Sequence, residues 1–122
     1  MNSYKDLIAY QKAYQLTIEV YKATKNFPRE EMYGLCSQMR RAAVSIPSNI
    51  AEGYRRGSRK EYVQFLRIAL GSCSELETQV SLSSDLDFLS GDKENIVTHL
   101  IEDVEKLLTK LIQSLKERYP VP

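Results

Sequence analysis

The segment RRAAVSIPSNIAEGYRRGSRKEY, residues 40–62, decides how the chain is read. Met39, Ala42, Ile46, Ile50 and Gly53 recur at helical spacing, yet Pro47 stands in the middle of the run. Proline has no N–H, and its ring crowds the carbonyl four residues back, here that of Ala43. In a helix interior this costs roughly 3 kcal/mol. Either the helix breaks and restarts with Ser45 as a new cap, or it kinks and continues. The apolar face keeps its phase across the proline, which favours a kinked, continuous helix. Ser45, Asn49 and Glu52 lie beside that face as candidate partners for the disturbed backbone. A bend that moulds the helix around its neighbours is the simpler reading; a bend that shapes a ligand pocket is the alternative.

Working outward, this second helix is expected from Pro28 to about Arg56, with Leu35 and Met39 extending its main face. Pro28 suits a first helical turn, and Glu30 and Glu31 favour that positive end. A second stripe, Tyr33, Val44, Pro47 and Ala51, lies roughly 120° or more round the helix, so the helix needs two neighbours. Upstream, Leu7, Tyr10, Tyr14, Ile18 and Tyr21 mark the apolar face of a first helix from about Tyr4 to Lys25. Downstream, Ser58 and Glu61 form a capping box that opens a third helix. Its face is Tyr62, Phe65, Leu66, Ala69, Cys73, Leu76 and Val80, and it reaches about Asp87. Gly91 marks the next break. A fourth helix carries Val97, Leu100, Ile101, Val104, Leu108, Leu111 and Leu115, and Pro120 forbids its extension. Short connections imply antiparallel neighbours. The expected fold is all-α: an antiparallel up-down-up-down four-helix bundle, kinked at Pro47, with residues 1–122 as a single domain.

Composition narrows the function. No apolar run approaches membrane-spanning length, and the N-terminus lacks a signal peptide's basic-then-apolar order, which points to the cytoplasm and away from membranes. Cys36 and Cys73 fall on apolar stripes without metal-ligand spacing and read as reduced core residues. The one histidine, His99, has Ile96 three residues earlier, so the Glu-x-x-His pairs of a di-iron bundle are missing, and His99 reads as solvated. No phosphate-binding loop, HExxH, Cys/His cluster or nucleophile elbow is present in the sequence. Glu75 and Glu77 fall on different sides of their helix and look more like partners for arginines than an acid/base pair. The expectation is a non-enzymatic protein with no cofactor and no metal.

Charge is unevenly distributed. Residues 40–67 hold seven Lys/Arg against two Asp/Glu, whereas residues 68–122 hold five against ten. Arg40, Arg41, Arg55, Arg56, Arg59, Lys60 and Arg67 are therefore the candidate contacts for a polyanion, RNA or single-stranded DNA, with Tyr54 and Tyr62 placed to stack on unpaired bases. Such runs are more often plain solvated surface. Arg40 and Arg41 have an equal claim as partners of Glu75, Glu77 or a neighbouring subunit. In that alternative the chain is a self-assembling adaptor or scaffold that binds another protein, with no nucleic-acid role.

The tract YGLCSQMRRAAVSIPSNIAEGYRRGSRKEYVQFLRIALGSCSELETQ, residues 33–79, together with KDLIAYQKA and FPREEMYGL upstream, resembles a known family. That family is encoded in intervening sequences of bacterial 23S rRNA genes and includes the accessory variability protein of diversity-generating retroelements. The resemblance implies a four-helix bundle assembled as a homopentameric ring, without catalysis. Its retroelement members bind nucleic acid and a reverse transcriptase through basic surfaces. Carried onto this sequence, Gly34, Gln38, Pro47, Asn49, Ile50, Gly53, Ala69 and Gly71 become packing and assembly residues. Arg40, Arg41, Arg55, Arg56, Arg59 and Lys60 become the polyanion surface. Tyr10 stands where the family often has tryptophan. The near-neutral net charge, +1, sets this chain apart from the basic retroelement branch.

Overall fold

Gly57, at φ +81°, turns the chain, and the Ser58 hydroxyl then accepts a hydrogen bond from the Glu61 amide at 3.1 Å. The third long helix, Arg59–Asp85, therefore starts where the capping pattern placed it. The computed structural model describes residues 3–118. It contains α1 (Ile8–Thr24), α2 (Leu35–Arg55), α3 (Arg59–Asp85) and α4 (Gly91–Arg118), with single 3-10 turns at Tyr4–Asp6 and Arg29–Glu31 and no strand among the described residues. The expected stop of α4 at Pro120 lies outside them.

Each helix packs on two others: α1 and α3 both touch α2 and α4, and among the described residues the backbones of neither diagonal pair come within 8 Å, Cα to Cα. The α2–α3 seam is the most extensive. Three levels give its direction. Met39 Sδ accepts from Ser83 at 3.2 Å, Ser45 meets Ser72 at 2.9 Å, and Gly53 lies against Phe65. Rising numbers on one helix meet falling numbers on the other, so the two are antiparallel. The same holds for α1 and α2, which meet through Thr24 and Arg40 and then Thr17 and Ala43, with Tyr4 of the turn before α1 reaching Arg55 at the far end. Leu16, Val20, Met39, Ile46, Ile50, Leu66, Leu76, Val97, Ile101, Val104 and Leu108 fill the centre and are all but inaccessible to solvent.

Two expectations need correction. The inward face of α1 is Ala9, Ala13, Leu16, Val20 and Ala23, whereas Tyr14, Ile18 and Tyr21 are exposed. Both stripes have helical period; the packed one is the smaller, because alanines let α1 approach its neighbours closely. The second helix starts at Leu35, not Pro28. Residues 29–31 form one separate turn, Gly34 takes a non-helical conformation, and Glu31 Oε1 accepts from the Leu35 amide at 3.3 Å in place of a side-chain N-cap.

The helix α2 runs through Pro47 without a break. Its orphaned Ala43 carbonyl, in a fully buried residue, accepts a hydrogen bond from the Thr17 hydroxyl of α1 at 3.0 Å. Thus the partner comes from the neighbouring helix and not from Ser45, Asn49 or Glu52. Asn49 Nδ2 donates instead to the Ser45 carbonyl at 2.7 Å, and Ser45 continues to Ser72 on α3. Among the described residues, no helix is long and apolar enough to cross a membrane. Cys36 and Cys73 are buried and free, and burial, with Glu105 and Glu77 adding to it, pushes the Cys73 thiol up to about 12. A thiol held protonated in this way is a poor nucleophile.

Candidate functional site

The seven cations named above do not form one cluster. Arg40 and Arg41 lie fifteen residues before Arg55 and Arg56 on the same helix, about 22 Å away at the helical rise. Arg40 is half-buried: its Nε donates to Thr24 Oγ1 at 2.9 Å, and its guanidinium sits 4.6 Å from the centre of the Tyr21 ring. Arg41 is exposed on the same end of α2. At the far end, Arg55 is exposed above the Tyr4 ring at 5.0 Å. Arg56 stands 3.8 Å from both Glu52 and Glu61, over the Phe65 ring. Arg59 is half-buried, while Lys60 and Arg67 point outward two turns apart on α3. Among the described residues, Arg41, Lys60 and Arg67 take part in no ion pair.

Tyr54 and Tyr62 are not free to stack on bases. They are partly buried and packed edge to face at 5.9 Å, and burial pushes the Tyr62 phenol up to about 12. The exposed rings are elsewhere. Tyr14, Tyr21 and Tyr33, with Ile18, Met32 and Val44, flank a long groove between α1 and α2. It consists of two cavities of about 580 and 450 Å³ that meet at Val44. Sequence reasoning found half of this feature, as the second apolar stripe of α2. It missed the other half because the tyrosine stripe of α1 was assigned to the core.

Glu77 faces Glu105 across the α3–α4 seam and not an arginine. Partial burial and the neighbouring Glu77 carboxylate, with Glu102 contributing, raise the Glu105 carboxyl above its ordinary value. A carboxyl raised on folding binds its proton more tightly in the native state. Its contribution is favourable below the unfolded value and declines as pH rises through the folded one. Glu105→Gln should therefore raise the melting temperature near pH 7 and leave it unchanged near pH 4, as read by thermal unfolding at both. An equal effect at the two pH values would refute the carboxylate repulsion.

Residues 5–110 match the family described as 23S rRNA-intervening sequence protein. The fold is similar to a crystal structure, at 1.70 Å resolution, of a protein of unknown function from the S23 ribosomal protein family of Bacteroides thetaiotaomicron VPI-5482. The two are 23% identical and superpose with a TM-score of 0.81 over 89% of this chain and 98% of that one. No curated protein matches the chain.

Proposed function

Since the chain belongs to the 23S rRNA-intervening sequence protein family, we propose that it is a non-enzymatic, cytoplasmic protein that binds RNA or single-stranded DNA electrostatically. The observation that carries this reading is the set of exposed cations at the α2–α3 turn and along α3. Lys60 and Arg67 point outward unpaired, and Arg55 stands exposed at the end of α2. Mobile positive ends spaced along a surface suit successive phosphates of a flexible strand. The ribosomal-gene origin in the family's description makes RNA the first polyanion to try.

A second reading has its own observation. Glu77, Glu102 and Glu105 crowd on the α3–α4 side while Arg41, Lys60 and Arg67 stand unpaired elsewhere. In a homopentamer, as the family resemblance implies, acids and bases of adjacent copies would meet, and each copy's weak cationic patch would be multiplied.

A salt titration against labelled RNA and single-stranded DNA, with particle mass from light scattering in the same buffer, tests both readings. Three phosphate contacts per protomer predict a roughly twenty-fold loss of affinity between 50 and 200 mM salt. Joint reversal of Arg55, Lys60 and Arg67 to glutamate should abolish binding while leaving the helical spectrum intact. Undiminished binding by that variant would remove the surface from consideration. A large particle that binds neither strand at low salt would leave the assembly reading alone.

A further inference from the structure

We propose that the α1–α2 groove is a docking site for an amphipathic helix of another protein, one that carries carboxylates along its polar edge. This goes beyond polyanion binding and uses a different surface, which shares only Arg55, at its edge, with the polyanion surface.

Composition argues for a protein occupant. The residues lining the two joined cavities include five tyrosines (Tyr4, Tyr10, Tyr14, Tyr21 and Tyr33), one methionine and two arginines, and no lysine, aspartate or glutamate. Enrichment in Tyr, Met and Arg with depletion of Lys, Glu and Asp is the signature of protein interfaces. Six of the chain's exposed large apolar side chains gather here. Contiguity of that kind marks an interaction site, whereas scattered apolar residues do not. Ile18, Val44, Pro47 and Ala51 add an aliphatic strip between the rings on which apolar side chains of a protein can pack.

Shape and charge narrow the occupant further. Two long helices form the walls, and the lining on α2 runs from Ser37 to Ala51, about 21 Å or four helical turns. A helix laid in such a trough presents apolar residues at i, i+3 or i+4, and i+7. Arg41 stands exposed at one end of this face and Arg55 at the other, fourteen residues apart and so nearly in line on α2. No carboxylate lines the cavities between them. The complementary helix places two carboxylates about two heptads apart on one side, meeting Arg41 and Arg55, with its apolar edge over Ile18 and Val44.

The test is selection of a displayed library of randomised 20-residue helical peptides on the full chain, with depletion on the Val44→Glu variant. Selected peptides should carry the helical apolar period with carboxylates two heptads apart. They should lose at least tenfold in affinity on Ile18→Glu and Arg41→Glu, and the Arg41→Glu loss should be recovered by changing the facing peptide carboxylate to lysine. Val44 and Ile18 are 41% and 45% exposed, so both variants should keep the parent's melting temperature. Three results would overturn the proposal. The first is a library that yields nothing able to distinguish the parent from Val44→Glu. The second is dissociation of an assembly by Val44→Glu in light scattering, which makes a second copy the occupant. The third is loss of single-stranded RNA binding on Val44→Glu, which makes a nucleic acid the occupant. RNA binding that survives Val44→Glu but fails on reversal of Lys60 and Arg67 leaves the polyanion reading standing whichever way the selection falls.

Discussion

Replacing Gly53 by alanine should lower the melting temperature by about 8 °C, although alanine is the better helix former by about 1 kcal/mol. A Cβ at Gly53 would sit 2.7 Å from Phe65 Cβ, 3.2 Å from Tyr62 Cδ1 and 3.3 Å from the Tyr62 carbonyl oxygen. Phe65 Cβ is fixed to its backbone and cannot swing aside as a side-chain tip can. The α2–α3 seam must therefore open at this level. Overpacking of this kind costs about 3 kcal/mol at its upper end, so a net loss of about 2 kcal/mol remains after the gain in helix propensity. Gly71 supplies the control, because a Cβ there meets nothing within 4 Å. Gly71→Ala should raise the melting temperature by a few degrees through propensity alone. Far-UV circular dichroism during heating reads both variants, and a Gly53→Ala protein as stable as the parent would show that the seam yields freely.

The second large effect is expected at Thr17. Its hydroxyl is the partner of the Ala43 carbonyl that Pro47 leaves without an amide. The same hydroxyl lies 2.9 Å from the Ala13 carbonyl, which already has a helical amide, so the bond that matters crosses to α2. Thr17→Val keeps the shape and removes the donor. Leaving a buried carbonyl unsatisfied should cost about 1.5 kcal/mol in urea denaturation. Introduced into a Pro47→Ala background, where an amide at position 47 can bond Ala43 directly, the same change should cost almost nothing. A double-mutant cycle isolates that coupling, and additive losses would mean that Thr17 acts only by packing. Thr17→Ser should retain most of the stability.

How far the sequence could be read is clearest at single residues. The Ser58 cap and the apolar phase carried through Pro47 are local signals, and both correspond to observed structure. The inward face of α1 is harder to read, because Tyr10, Tyr14, Ile18 and Tyr21 make a bulkier stripe than Ala9, Ala13, Leu16, Val20 and Ala23. Only the closeness of the neighbouring helices decides which stripe packs. Thr17 could not have been found from the sequence, since its role depends on which residue of α1 lies level with Ala43. The cations divide as the helical rise dictates, with Arg55, Arg56, Arg59 and Lys60 around the α2–α3 turn. One helix carries Arg40 and Arg56 to opposite ends, and the i, i+4 spacing of Glu52 and Arg56 already offered a pairing that goes with its weak local neutralisation. The groove needs both helices to be placed before it exists at all.

The bond from Thr17 to Ala43 also bears on what holds the second helix together. In an isolated segment spanning residues 35–55 only water could donate to that carbonyl, so the two halves on either side of the proline are less firmly joined there than beside α1. Continuity of the second helix thus draws on a contact made by its neighbour and not on its own sequence alone.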